Sequence, residues 1–344
     1  MNKKNPRFDP FDKADLADLP DLASLVGSSG FAPSLPIAVA FSGGADSTAL
    51  LLACVDQREK SAKHANLLKP LRAIHIHHGL QAAADTFAEH CQKVCARFDV
   101  ELHIEYIKAT HQLGESPEEA ARLARYKAFS RVLSMEWGDE VRTVLLGQHA
   151  DDQVETLLLA LSRGAGLPGL SSMAPRFERL GVTYYRPFLN MSSEAIKGWL
   201  RAKGQDWVED PTNKDTQFTR NKIRAEVVPA IYNAFPSFRQ TAARSARHAA
   251  QAQLLLNELA EEDLKQVGNP PKIKLLQTFS EHRLANLLRF WFCTIGATPS
   301  NNQLQELIAQ IACCKTRGHK IELKLGLGYV TRSGDVLAWS ELLQ

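Results

Sequence analysis

Ile37-Ala-Val-Ala-Phe41-Ser42-Gly43-Gly44-Ala45-Asp46-Ser47 reads as a strand, a glycine turn and a helix start, because Ala49–Val55 runs on almost wholly apolar. Glycines let the main chain approach a bound group, while the hydroxyls and helix-start amides point at an anion, the physics of a phosphate cradle. Five specified residues at ordinary frequency match such a turn by chance only ~3 × 10⁻⁴ times in a chain of this length. The competing structural account is a plain turn with Asp46 or Ser47 as an N-cap. No G-x-x-x-x-G-K-[ST] occurs anywhere, so this is not the ordinary P-loop. An acid, Asp46, replaces the lysine of that motif, which fits a metal-bound pyrophosphate.

Outward from the turn, short β-branched or aliphatic runs recur at residues 37–41, 71–76, 100–107, 141–146 and 183–188. Helical patterns lie at 47–57, 84–98, 117–136, 152–163 and 193–203. This alternation predicts an α/β fold with a doubly wound, mostly parallel sheet covered on both faces. At 116–119, Ser116, Pro117 and Glu119 predict a capped helix start with a capping box. Residues 1–34 read as a loosely held extension with at most a short helix near Asp15–Leu25. Past about residue 225 the alternation stops. Helices are expected at 235–266, 280–293 and 301–314, and short strands at 320–325, 329–332 and 336–339. The expected division is an extension (1–34), a catalytic domain (35–225) and a second, mainly helical domain (226–344).

The chain has 344 residues, 44% hydrophobic and 23% charged, an ordinary globular composition that excludes a disordered or fibrous protein. A formal charge of +3 permits a nucleic-acid partner without arguing for one. No apolar run approaches the roughly 18 residues of a membrane span. The cysteines (Cys54, Cys91, Cys95, Cys293, Cys313, Cys314) are too scattered for a disulfide scaffold, so a reduced cytoplasm is expected. Oligomeric state is left open, a homodimer among the options.

A second candidate block, His149-Ala-Asp151-Asp152-Gln-Val-Glu155-Thr156, opens another helix. Asp152 and Glu155 stand three apart and face one way on its first turn. Capping by Asp151 or Asp152 explains part of the block. Three carboxylates exceed what capping requires, and hard oxygen ligands suit Mg²⁺ on a triphosphate. A transition-metal hydrolase using His75, His77 and His78 is a rival reading; those histidines fit better at the end of a buried strand. Gly164–Gly169 formally matches G-x-G-x-x-G, yet such a match arises by chance in roughly one chain in fifteen and here follows a helix, so a flexible loop is expected. The stretch 217–253 carries Arg220, Lys222, Arg224, Arg239, Arg244 and Arg247 against the single acid Glu226. That is either a solvated face or the local field that RNA binding needs. Arg122 and Arg125 are open to the same two readings.

The glycine turn resembles that of the PP-loop ATP pyrophosphatases, which split ATP between its α and β phosphates. His75-Ile-His-His-Gly-Leu80, Ala121-Arg122-Leu-Ala-Arg125-Tyr126 and His149–Thr156 follow it in order. Arg163–Leu170, Asp210-Pro-Thr-Asn213 and Arg220-Asn-Lys-Ile-Arg224 complete the series. Together they resemble the tRNA(Ile)-lysidine synthase family over about residues 37–340, Leu275–Trp339 resembling its tRNA-binding domain. The resemblance implies an adenine nucleotide α-hydrolase-like fold without the further C-terminal domain of longer members. It implies a ligase that adenylates the wobble cytidine carbonyl of the CAU anticodon of tRNA(Ile). Free L-lysine then attacks through its ε-amine, with release of AMP and pyrophosphate. It also implies ATP and Mg²⁺ as cofactors. Ser42, Gly43, Gly44, Ala45, Asp46 and Ser47, with His75 and His149, would hold the nucleotide. Asp46, Asp152 and Glu155 would organise magnesium and, with Arg122 and Arg220, serve catalysis. Arg220, Arg224, Arg244 and Arg247 would contact tRNA. Deprotonating lysine at neutral pH costs about 4.6 kcal/mol, a factor of ~2,500, so a positioned proton acceptor matters. Alternatives are another PP-loop ATPase adenylating a different tRNA base or a small-molecule carbonyl, or an RNA-binding module on a dead nucleotide fold. The retained Asp46, Asp152 and Glu155 oppose the last, and the lack of any C-x-x-C disfavours sulfur transfer.

Overall fold

The computed structural model describes residues 36–65, 71–77, 83–107, 117–138, 140–316, 318–325 and 328–341. The expected extension, the helix near Asp15–Leu25, His78 and the Ser116 cap lie outside the described residues. Among the described residues, those up to Ala165 together with Ser172–Ala246 form one compact unit; Gly166–Ser171 with those from Arg247 onward form a second.

The first unit runs β1 (Ile37–Ala40), α1 (Ala45–Ala65), β2 (Leu71–His77), α2 (Ala83–Arg97), β3 (Glu101–Tyr106), α3 (Pro117–Arg131), β4 (Thr143–Leu145), α4 (Ala150–Ser162), β5 (Arg176–Arg179), β6 (Val182–Tyr185) and α5 (Ser193–Ala202). It then adds α6 (Val228–Ala234) and the first turns of α7 (Phe238–Val267). The sheet has the order β3-β2-β1-β4-β6-β5. Every pairing is parallel except that of edge strand β5 with β6. The chain thus winds from β1 outward to β3, returns to β4 on the other side of β1, and opens a crevice at the carboxyl ends of β1 and β4.

Alternation along β1 sets the two faces. Val39 packs with Leu50, Leu51, Cys91, Phe188 and Trp199 from α1, α2, the β6–α5 connection and α5. Ala38 packs with Tyr126, Phe129, Val144 and Tyr184. The expected doubly wound sheet is therefore present, with one strand added. Within the described residues, both oxygens of Glu119 accept from Arg122 on the same helix, at 2.9 and 2.7 Å. The stretch expected to be a loop after Gly164 holds one helical turn, Leu167–Leu170, begun by Pro168 in its first turn.

The second unit packs the end of α7, α8 (Glu281–Thr294) and α9 (Asn301–Cys313) with the antiparallel strands β7 (Glu322–Leu325), β8 (Gly328–Ser333) and β9 (Val336–Glu341). Ser300 and Gln303 form a capping box at the start of α9.

Tyr184 is 0% exposed, its ring stacked on Phe177 at 4.8 Å and edge-on to Tyr126 at 5.0 Å. Its hydroxyl has no hydrogen-bond partner among the described residues. An unsatisfied buried hydroxyl costs ~1–3 kcal/mol. Tyr184→Phe keeps the ring contacts and is expected to raise the urea midpoint by that order with an unchanged m-value. A lowered midpoint would show that the hydroxyl is bonded.

Candidate functional site

The glycine turn is held by its own side chains. Ser42 N donates to Ser47 Oγ at 3.2 Å, Ser47 Oγ donates to the Gly44 carbonyl at 3.1 Å, and the two serine hydroxyls lie 3.0 Å apart. Thr48 Oγ1 donates to the Gly43 carbonyl at 3.3 Å, which also accepts from Val208 N at 3.0 Å. Gly43 has φ +84°, and a Cβ there would lie 3.2 Å from Cys91 Sγ. Both conformation and space demand glycine. Beneath the turn, His75 is 4% exposed and its Nδ1 donates to the Phe41 carbonyl at 2.9 Å. Burial keeps its pKa below the usual imidazole value, so this ring is a neutral support.

A second glycine brings the two loops together. Gly147 lies between β4 and α4, and a Cβ on it would stand 3.0 Å from the Asp46 carbonyl carbon and oxygen and 3.1 Å from Ser47 N. His149, in extended conformation, is the N-cap of α4, and Asp152 Oδ2 accepts from its backbone N at 3.0 Å. The capping residue is thus His149 rather than Asp151 or Asp152, and Asp152 is the acid that reaches back. Acids in this first turn are also favoured by the helix macrodipole.

From the turn, side-chain contacts run unbroken to the basic segment. His149 Nε2 lies 3.5 Å from Asp46 Oδ2 and 3.6 Å from Asp152 Oδ2, and Asp152 Oδ1 lies 3.5 Å from Arg224. Glu155, 1% exposed, accepts both arms of Arg224, at 2.6 and 3.0 Å, and its Oε2 is 3.2 Å from Arg220 Nε. Arg220 also donates to Thr156 Oγ1 at 2.8 Å. Burial pushes the Glu155 carboxyl above the usual carboxylate range, and the arginines offset that only in part. For His149, burial lowers the pKa, but hydrogen bonding to Asp46 and the charges of Asp152, Asp46 and Asp151 outweigh it and hold the imidazole above its usual value.

Asp151 points elsewhere. It accepts from Ser193 N at 2.9 Å, from Tyr232 Oη at 2.7 Å and from Arg239 Nε at 2.7 Å, tying α4 to α5, α6 and α7. Desolvation raises this carboxyl, but those bonds prevail and leave it below the usual range.

The structure therefore brings Ser42–Ser47, His149, Asp152, Glu155, Arg220 and Arg224 together, with His75 below. Arg122 is exposed, and its bidentate partner is Glu119 on its own helix. Arg244 and Arg247 are exposed on α7. Among the described residues, no three His, Cys, Asp or Glu side chains are grouped to hold a metal ion unaided. Asp46 Oδ1 is buried without a hydrogen-bond partner, an oxygen that fits a cation brought in on a triphosphate. The cysteines are free; burial pushes Cys91 far up and Cys95 to about 12, so neither is a ready thiolate. Gly147 escaped sequence reasoning although a glycine between strand and acidic helix start is the same signal as Gly43.

Two consequences are measurable. Gly147→Ala is expected to weaken ATP binding at least tenfold, ~1.4 kcal/mol, while far-UV circular dichroism stays as in the parent. Unchanged affinity would show that the loop absorbs the Cβ. The raised pKa of His149 makes its charged form stabilising, fully below about pH 6.5 and lost as pH rises through the folded value. The stability difference between the parent and His149→Gln is therefore expected to shrink upward from about pH 6.5. A constant difference would contradict a charged imidazole.

Residues 22–231 match the PP-loop domain model, and residues 272–337 match the TilS substrate binding domain model. A tRNA(Ile)-lysidine synthase of Polaromonas naphthalenivorans is 53% identical over 308 residues, covering 90% of each chain. That of Pseudomonas putida is 46% identical over 264 residues, 74% of this chain and 59% of its own length. That of Escherichia coli O157:H7 is 37% identical over 310 residues, 89% and 69% of the two chains. The U34-tRNA thiolase NcsA of Methanococcus maripaludis superposes with a TM-score of 0.54 at 15% identity over 66% of this chain and 76% of that one, a likeness of fold alone. With its glycine turn, its acidic helix start and these relatives, the chain belongs to the tRNA(Ile)-lysidine synthase family.

Proposed function

We propose that the chain is an ATP-dependent ligase that converts the wobble cytidine of the CAU anticodon of tRNA(Ile) to lysidine. The cytosine carbonyl is adenylated, and the ε-amine of free L-lysine displaces AMP. The observation that carries the reading is the unbroken run of contacts from Asp46 through His149 and Asp152 to Arg224, Glu155 and Arg220. It joins a phosphate cradle to paired arginines around one crevice.

In this reading the amides and hydroxyls of Ser42–Ser47 take the β and γ phosphates at the start of α1. Asp46 and Asp152 are the carboxylates open to Mg²⁺, which when bound neutralises charge on the departing pyrophosphate. Glu155, with each oxygen against an arginine, acts by fixing the forks of Arg220 and Arg224 toward the α phosphate. A carboxylate of the same crevice takes the lysine ammonium proton. Arg244 and Arg247, exposed on α7, grip tRNA phosphates, and Arg122 moves from Glu119 to a substrate phosphate. Residues 35–225 carry the chemistry and 226–344 the tRNA grip. Among the described residues no helix is long and apolar enough to cross a membrane, and the free cysteines fit a reduced cytoplasm.

Mass spectrometry of anticodon nucleosides after incubation with unmodified tRNA(Ile), ATP and lysine tests the reading. Expected are lysidine, AMP and pyrophosphate in equal amounts, and at least a hundredfold loss with Asp46→Asn at retained tRNA affinity. ADP as product, or modification without lysine, would refute it.

A further inference from the structure

Arg186 directly follows β6 and is 8% exposed. Its Nε donates to Gln148 Oε1 and its Nη1 donates to the Ala174 carbonyl at 2.6 Å. The Tyr126 hydroxyl is a third neighbour, and the guanidinium carbon lies 4.2 Å from the Phe177 ring centroid. Each of these groups is neutral. Among the described residues no carboxylate oxygen comes within 4.0 Å of the guanidinium.

That is unusual in this unit, where buried Glu155 and Glu105 are paired with Arg224 and Arg131, and half-buried Asp151 with Arg239. Taking a guanidinium out of water costs several kcal/mol unless an opposite charge meets it. Arginine does not escape by losing its proton, even where burial lowers its pKa. A neutral cage fixes the fork without cancelling its charge, which suits a group kept ready for an anion. Its location agrees. β6 runs parallel beside β4, so Arg186 emerges at the same sheet edge as Gly147 and His149, and its partner Gln148 directly precedes His149. The charged groups that it feels are Asp152 and Arg122.

We propose that Arg186 is an anion-binding residue of the crevice that holds an oxyanion of a substrate. This rests on the function proposed above, which supplies two such groups, the carboxylate of free lysine and the α phosphate of ATP.

Arg186→Met keeps the apolar stem in its packing and deletes the buried charge, so an equal or higher melting temperature is expected. ATP affinity is measured alone, and lysine is compared with lysinamide, which lacks the carboxylate, as substrate and competitor. Capture of the carboxylate predicts that the parent prefers lysine at least tenfold, that the variant loses this preference, and that ATP affinity is unchanged. Capture of the phosphate predicts at least a tenfold loss of ATP affinity at an unchanged lysine preference. If Arg186→Met does not fold, Arg186→Lys and Arg186→Gln are compared, the charged one being expected to retain more affinity. A folded variant with parental ATP affinity and parental lysine preference overturns the proposal. A parent enzyme that makes no lysine-dependent product sinks the proposed function instead, and leaves the ATP arm to judge Arg186.

Discussion

The passage of Gly147 against the Asp46–Ser47 peptide is the constraint on which the site depends. β1 and β4 pair directly, Ala38 with Val144 and Val39 with Leu145, although β2 and β3 intervene in sequence on the far side of β1. Two loops therefore leave the same sheet edge as neighbours, and each opens a helix. The amino-terminal ends of α1 and α4 converge, and with them two sets of unpaired amides and two positive dipole ends. A side chain on Gly147 would occupy space now filled by the Asp46 carbonyl. The crevice is thus made by topology and kept narrow by the lack of one carbon atom.

Charge balance follows from that convergence. Helix starts favour Asp46, Asp151 and Asp152, but a crevice lined with bare carboxylates would repel a triphosphate. The chain resolves the conflict in three ways. Asp151 is turned away and bonded to Ser193, Tyr232 and Arg239. Glu155 is buried under Arg224 and Arg220. His149 sits between Asp46 and Asp152, its raised pKa being the mark of that compensation. Asp46 Oδ1 remains the unbonded buried carboxylate oxygen of the group.

Local signals carried most of this into the sequence. The glycine turn stands where it was expected, and α4 begins within two residues of the predicted start. The inference that Asp152 and Glu155 share a side is met by their common contact with Arg224. Strand β5 was missed because Arg176-Phe-Glu-Arg179 is an edge strand, whose charged residues blunt open pairing groups and hide the apolar period. Asp151 could not be separated from Asp152, since its partners lie 42 to 88 residues away. Arg186 gave no sequence signal at all. Its burial is set by Gln148, Ala174 and Phe177, which only the folded sheet edge assembles.

The same geometry argues about the kind of catalyst this is. Covalent chemistry needs a nucleophile with a lowered pKa, and burial drives Cys54, Cys91 and Cys95 the other way. His75 is a neutral support and His149 is held by carboxylates, so neither is an unencumbered base. What the crevice offers is placement: amides and hydroxyls in one loop, a bidentate arginine fixed by a buried glutamate, and a carboxylate oxygen left open between them. Such a set is suited to a reaction in which the substrates bring the reactive atoms and the protein brings alignment and charge. A cytosine carbonyl attacking an α phosphate, and an amine displacing AMP from the same carbon, are reactions of that type. Both need the leaving group stabilised more than they need a protein nucleophile, and on the function proposed above that stabilisation would come from the arginines that Glu155 holds, Arg224 and Arg220.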